Sequence, residues 1–416
     1  AASDVYKRQF VYLGSAAGLA AIAAWTGESN QENAVFGGSV AGAGDVNGDG
    51  LADVVVGAPL FDNGERDEGR AYLYLGSRTD TVLSATAGWT NEVDQAGAFF
   101  GYSVAGAGDV NGDGFSDVVV GAYGYDNGEI DEGRAFAYFG SESGLSATPA
   151  WTAESNQAAA SFGYSVAGAG DVNGAVYADV LIGAYLYSGG RGAAFVYLGS
   201  CSGLSATPAW TAGYNQSNAQ FGYSVASAGD VNGDGFADIV IGATNAYNDG
   251  QNNEGRAFVY LGSAAGLGAT AAWTAESNQA GAQFGISVAG AGDVNGDGFA
   301  DVVIGAPYYN NGELNEGRAF VYHGSASGLG VTAGWTSEVD QAAALFGYSV
   351  AGAGDVNGDG YSDVVVGAYT YDNGLANEGA AFVYFGSASG LNATADWSIE
   401  ANQAYAQFGI SVASAG

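Results

Sequence analysis

The sequence predicts an all-β fold, a seven-bladed β-propeller of four-stranded blades, from three observations. The seven tryptophans lie at 25, 89, 151, 210, 273, 335 and 397, with spacings of 64, 62, 59, 63, 62 and 62 residues, and a fixed internal period marks a repeat architecture. Each period holds four short runs rich in Val, Tyr, Phe and Thr, parted by Gly-containing turns, which read as four strands. A period of that length fits a blade, whereas leucine-rich repeats and β-helix coils are much shorter. Six blades are complete from one FG pair to the next tryptophan. An incomplete seventh is expected to be shared by the termini, with residues 408–416 as its first strand and residues 10–25 as its third and fourth.

Within a period the chain runs in a constant order. A polar segment of the type WTAESNQ leads to an FG pair, at Phe36, Phe100, Phe162, Phe221, Phe284, Phe346 and Phe408. SVAGAG follows and predicts the innermost strand, because sheets that converge on an axis leave little room for side chains. DVVVGA, apolar on both faces, predicts a second strand buried between stacked sheets. A turn rich in Asn, Asp and Gly and the run RAFVY give the third strand, and a short run into the next tryptophan gives the fourth.

Residues 10–416 are expected to form a single propeller domain, and residues 1–9 (AASDVYKRQ), which match no repeat, an unstructured or foreign leader. The absence of methionine, and a C-terminus at the point where earlier copies continue into Asp, suggest a fragment. The uncharged run 10–25 has a close copy at 258–273, so it belongs to the fold rather than to a signal peptide. A formal charge of -35 argues against nucleic acid and anionic membrane and in favour of cations. No stretch is long and unbroken enough for membrane insertion. The single cysteine, Cys201, excludes an intrachain disulfide framework.

The chemistry concentrates in a nine-residue loop before each second strand, DVNGDGLAD at 45–53, repeated at 109–117, 230–238, 293–301 and 355–363. Oxygen-bearing side chains stand at its first, third, fifth and ninth positions, with Gly at the sixth where the chain turns. Carboxylates brought to about 4 Å repel by roughly 4 kcal/mol per pair at an effective dielectric of 20, and a flexible all-oxygen cage favours calcium over magnesium. The expected ligands are Asp45, Asn47, Asp49, the Leu51 carbonyl and Asp53. The equivalents are Asp109, Asn111, Asp113, Phe115 and Asp117, then Asp230, Asn232, Asp234, Phe236 and Asp238. Asp293, Asn295, Asp297, Phe299 and Asp301 form the fourth set, and Asp355, Asn357, Asp359, Tyr361 and Asp363 the fifth. The alternative is an Asx-rich turn without metal. About five calcium ions are expected, because the third copy, DVNGAVYAD at 171–179, places Ala175 and Val176 where Asp and Gly stand elsewhere and should be empty.

FG (Phe36, Gly37), DVNGDG (45–50) and VVGAP (55–59) resemble the FG-GAP repeats of the integrin alpha-chain propeller and of bacterial relatives, over nearly all of residues 10–416. The resemblance implies seven blades with calcium in the loops joining first and second strands. It also implies protein or glycan partners on the opposite face, formed by the connections from second to third and from fourth to first strands. Several GAP motifs read GAY here, as at 121–123 and 367–369, and no DxSxS metal motif is present, so integrin-type ligand recognition does not carry over.

On that opposite face, Glu68, Glu132, Glu254, Glu316 and Glu378 recur two residues before Arg or Ala, and Glu28, Glu92, Glu154, Glu276, Glu338 and Glu400 follow tryptophans by three. The simple expectation is that Glu and Arg pair locally while Trp seals the junction between blades. The third blade departs from the pattern, with a second turn three residues shorter.

An enzyme is not expected. The single histidine, His323, stands where other copies have Leu or Phe, and no nucleophile has an evident base. The expected function is a calcium-stabilised, extracellular, non-catalytic platform for adhesion or ligand binding, secreted or on a cell surface, of bacterial type. The alternatives are a lectin-like propeller using aromatic turn residues such as Tyr123, Tyr125, Tyr308 and Tyr309, or a structural spacer in a larger surface protein.

Overall fold

A computed structural model describes residues 8–78, 82–247 and 250–416. The chain divides into two compact units. One holds the first three blades within Ala23–Ser217, together with Ala1–Val11 and Ala415–Gly416, and the other holds the last three within Asn218–Ser414, together with Tyr12–Ile22. Residues 1–7 of the expected leader lie outside the described residues. Arg8 pairs through Nε with Glu28 Oε2 at 3.3 Å, and Gln9 opens the first strand.

Each blade is one antiparallel four-stranded meander. In the first blade the strands are Ser39–Gly44, Asp53–Ala58, Arg70–Tyr74 and Trp89–Glu92, and in the second Ser103–Gly108, Asp117–Ala122, Arg134–Tyr138 and Trp151–Glu154. The third comprises Ser165–Gly170, Asp179–Ala184, Ala193–Tyr197 and Trp210–Gly213. The fourth has Phe221–Gly229, Asp238–Ala243, Arg256–Tyr260 and Trp273–Glu276. Ser287–Gly292, Asp301–Ala306, Arg318–Tyr322 and Trp335–Glu338 make the fifth, and Ser349–Gly354, Asp363–Ala368, Ala380–Tyr384 and Trp397–Glu400 the sixth.

The expectation of seven blades is wrong: among the described residues there are six four-stranded sheets and one two-stranded ribbon. The ribbon pairs Gln9–Val11 with Trp25–Gly27 and nothing else. Residues 408–416, expected as a seventh first strand, form no strand; Phe408 makes one isolated bridge to Gly379, and Val412 N–H donates to Ser349 Oγ at 3.0 Å. The physical reason is pairing. A first strand of SVAGAG type is held by a ladder to its own DVVV strand, and among the described residues this segment pairs with no such strand.

The packing within a unit follows from the pattern. Second strands are buried on both faces, with Val55, Val56, Val118, Val119 and Val120 inaccessible to solvent. The core lies between successive blades: Leu73 and Trp89 of the first blade pack with Phe100, Val118, Val120 and Tyr138 of the second. Trp25, Trp89, Trp151, Trp273 and Trp335 each pin a junction. The Trp89 ring meets Tyr138 edge-on at 4.8 Å while its Nε1–H donates to Ser146 O at 2.9 Å, and Trp151 repeats this with Tyr197 and Ser205 O. The first strands need small residues because the blades touch there: a Cβ on Gly106 would stand 2.6 Å from Gly42 O.

Candidate functional site

The Asp-rich loops begin with a bulge. In the first blade the register of the first strand shifts between Gly42 and Gly44, and Gly44 takes φ 73°, so the strand turns into the loop opposite Asp53. The loop then wraps around its own first carboxylate. Asp45 Oδ1 accepts the N–H groups of Gly48 (2.7 Å) and Asp49 (3.1 Å), and Oδ2 accepts that of Gly50 (2.8 Å). Asn47 Oδ1 accepts Asp49 N–H at 3.0 Å, Asn47 Nδ2 donates to Asp49 Oδ2 at 3.1 Å, and Asp49 Oδ1 accepts Leu51 N–H at 2.9 Å. The loops beginning at Asp109, Asp230, Asp293 and Asp355 repeat these bonds.

The ninth residue has a different environment from the other three side chains. Asp53 is fully buried; its Oδ2 accepts Val46 N–H (2.9 Å) and its Oδ1 accepts Gly76 N–H (2.7 Å), tying the loop to the connection between third and fourth strands. Asp117, Asp179, Asp238, Asp301 and Asp363 make the same staple. Burial drives the carboxyl of Asp117 up to about 7, against the lowering effect of its two backbone hydrogen bonds and with a further push from Asp113 and Asp109. The Asp179 and Asp238 carboxyls rise to about 6 for the same first reason.

The four expected side-chain ligands thus fall in two layers. The first, third and fifth side chains share one exposed hydrogen-bonded turn, and the ninth lies beneath it. All are hard oxygen donors, and in donor chemistry the set fits calcium. Among the described residues no group of three or more acidic, His or Cys side chains is already arranged as a metal cage. The third loop keeps the same turn without a fifth-position carboxylate: Ala175 N–H donates to Asp171 Oδ1 at 3.0 Å and Val176 N–H to Asp171 Oδ2 at 2.7 Å. Val176 holds φ 75°, where the other loops have Gly, and is exposed.

On the other side of the blades the repeated acids are structural. Glu132 is fully buried and its Oε1 accepts Asn127 N–H at 2.7 Å; Glu378 does the same for Asn373, also at 2.7 Å. Each third-strand arginine lies directly across the ladder from the glutamate that follows the tryptophan, Arg70 from Glu92 and Arg318 from Glu338, with Nε–Oε2 distances of 2.6 and 2.7 Å. The arginines also cover aromatic rings: Arg70 over Phe61 at 4.0 Å, Arg134 over Tyr125 at 5.3 Å and Arg318 over Tyr309 at 4.5 Å. Tyr125 and Tyr309, expected as free stacking faces, are therefore engaged by guanidinium groups of their own blades.

Sequence reasoning missed a tyrosine cluster at the same ends of the second and third blades. Tyr102 and Tyr164 join through their hydroxyls at 2.8 Å, Tyr123 stacks on Phe99 at 4.9 Å, and Tyr185 packs on Tyr164 at 4.3 Å. Desolvation pushes the Tyr123 phenol up to about 12. The signal was present as the tyrosines of FGY and GAY, of which GAY alone was read, as a departure from a motif and not as a neighbour in space.

Comparison with known proteins agrees with this repeat. The family model described as FG-GAP repeat matches residues 36–74, 100–137, 221–260, 284–322 and 346–384. Those segments lie in the first, second, fourth, fifth and sixth blades, the ones whose Asp loops keep all four oxygen positions. Integrin alpha-V of Gallus gallus is 34% identical over 240 residues, which is 56% of this chain and 22% of the relative. Integrin alpha-5 of Xenopus laevis is 36% identical over 185 residues, 41% of this chain and 17% of the relative. For integrin alpha-6 of Homo sapiens the figures are 36% identity over 148 residues, 36% of this chain and 12% of the relative. The chain thus spans about a fifth or less of the length of these relatives; five of its six blades carry matches to the FG-GAP repeat, and the chain is similar to the integrin alpha chains.

Proposed function

We propose that the chain is a calcium-stabilised, non-catalytic extracellular platform, secreted or on a cell surface, that binds an adhesion or other protein ligand. The observation that carries the reading is a coincidence of position. The five segments that match FG-GAP repeats are those in which every oxygen position of the Asp loop is retained. In each of them Asp45, Asn47, Asp49 and Asp53, or their equivalents, would hold the ion, which would supply positive charge to offset clustered carboxylates. The ligand would meet the opposite ends of the blades, where the arginine, glutamate and tyrosine side chains lie. The single histidine, His323, lies with Nδ1 3.4 Å from the buried Asp301 of its own blade.

Calcium titration of chelator-treated protein, followed by calorimetry, tests the reading. About five sites and a raised melting temperature are expected, and an unchanged melting temperature removes calcium from the account. Binding that simple saccharides inhibit on a glycan array would replace protein adhesion with lectin activity.

A further inference from the structure

The third-strand arginines of the first, second and fifth blades occupy a repeated cradle with five walls. One ring comes from the connection after the second strand and one from the third strand. A hydroxyl follows the tryptophan, a glutamate ends the fourth strand, and an asparagine of the connecting turn touches that glutamate. In the second blade these are Tyr125, Phe136, Thr152, Glu154 and Asn127: the Arg134 guanidinium lies 5.3 and 5.6 Å from the two rings, Nη2 donates to Thr152 Oγ1 at 2.8 Å, and Asn127 Nδ2 donates to Glu154 at 2.9 Å. Arg256 in the fourth blade, where Ala246 replaces the ring of the connection, keeps other contacts: it pairs with Glu276 at 3.0 Å, donates to Thr274 Oγ1 at 3.2 Å and lies 5.4 Å from Phe258.

The sixth blade keeps every wall and lacks the occupant. Ala380 stands at the arginine position, directly across the ladder from Glu400, in the register of Arg134 with Glu154. Tyr371, Phe382, Ser398, Glu400 and Asn373 are all retained and line a cleft of about 230 Å³. Asn373 Nδ2 still donates to Glu400 Oε2, at 2.7 Å, and the rings of Tyr371 and Phe382 keep their edge-on contact at 5.6 Å. Phe382 is partly exposed, whereas its covered counterparts Phe136, Phe258 and Phe320 are 5, 4 and 8% exposed. Among the described residues no basic side chain pairs with Glu400. The third blade is the instructive contrast: Ala193 replaces arginine there too and Tyr187 and Phe195 keep their edge-on contact at 5.6 Å, but Gly213 replaces the glutamate and the connection is shortened, so the carboxylate wall is missing.

We propose that the sixth blade offers this vacated cradle to the guanidinium group of an incoming arginine. The chemistry selects that group. A carboxylate beside a hydroxyl accepts a planar fork of N–H donors, and two aromatic faces attract a weakly hydrated cation; a metal ion would find one carboxylate and two hydrocarbon walls. The cleft is smaller than the roughly 300–1,000 Å³ of a drug-sized site and suits one side chain. A protein with formal charge -35 adds a field that favours a cationic ligand. The site stands independently of calcium and of the adhesion reading, because the complete copies in the first, second and fifth blades define it.

The test is titration of the full chain with N-acetyl-L-arginine N-methylamide, read at the methyl resonance of Ile399, which lines the cleft. A saturable shift with a dissociation constant of about 1–10 mM is expected for one partly exposed ion pair with ring contact. Ala380→Arg should fill the cradle from within and weaken binding at least about tenfold while leaving the fold intact, and Glu400→Gln should weaken it by about tenfold without filling the space. Free L-arginine binding as tightly would point to the amino acid as the ligand, and weaker binding to an arginine within a peptide. The proposal is overturned by no saturable shift in the wild type, by unchanged binding in both variants, or by equal binding of the lysine analogue.

Discussion

Replacing Asp179 by Ala isolates the buried staple from any bound ion, because Asp179 closes the one loop that lacks a carboxylate at the fifth position. Its side chain is fully buried and accepts two backbone N–H groups, from Val172 at 3.0 Å and Gly199 at 2.8 Å. Each donor left unpaired in the interior costs about 1–3 kcal/mol, so the loss should be about 2–6 kcal/mol. Burial works in the opposite direction on the charge. The carboxyl rises from 3.8 to about 6 in the folded chain, so the folded state binds a proton that the unfolded state has released across that window. Wild-type stability from this group is therefore complete below pH 3.8 and falls as pH rises through 6, by about 3 kcal/mol in all. The Asp179→Ala variant has no such dependence. Its deficit should be larger at pH 5 than at pH 7.5 by about 1 kcal/mol. Urea unfolding in chelator at both values measures it, with Asp171→Ala, on the solvent side of the same loop, as a control expected to lose about 1 kcal/mol or less. A deficit under about 0.5 kcal/mol at pH 5, or one that grows with pH, would refute the reasoning.

Val176→Gly should stabilise the third blade by about 1 kcal/mol, because a β-branched residue at φ 75° is strained and exposed there; an unchanged or lowered urea midpoint would contradict this. Alkaline unfolding is expected between pH 10 and 12. Burial raises the third-strand tyrosines, with Tyr74, Tyr260, Tyr322 and Tyr384 reaching about 12, so their stabilisation is present below 10 and lost as pH climbs through 12. At about 2.7 kcal/mol each, four such groups reach the roughly 5–15 kcal/mol of a typical domain, and tyrosinate absorbance should rise together with loss of β-sheet signal. Trp89→Phe should cost about 2 kcal/mol, from a lost hydrogen bond to Ser146 O and reduced packing on Tyr138, read by equilibrium unfolding. Asp113→Ala should remove one calcium of about five in a calorimetric titration and leave the others unchanged, since the side-chain hydrogen bonds of Asp113 close within its own loop.

Much of the blade was legible because its signals are local. The alternation and β-branching of DVVVGA, the small residues of SVAGAG and the spacing of the tryptophans set strand order and the two-sided burial of the second strand. The Asp loops were legible as turns, since a carboxylate at the first position meets N–H groups only three to five residues ahead. What could not be read was which carboxylates face water. Asp49 and Asp53 look equivalent as oxygen donors, yet one is exposed and the other closed under the third-to-fourth connection, a contact 23 residues away at Gly76. Arg and Glu were expected to pair, but the cradle of rings around them, and its vacancy at Ala380, exist only once four segments are brought together.

The sequence by itself determined that this chain is all-β, that its unit is a four-stranded blade with an Asp-rich loop before the second strand, and that it resembles FG-GAP repeats. These depend on period, side-chain alternation and turn chemistry, all properties of neighbours along the chain. Only the tertiary structure decided the number of blades. Residues 408–416 carry the letters of a first strand, but a strand is made by the hydrogen bonds of a partner, and among the described residues no second strand pairs with this one.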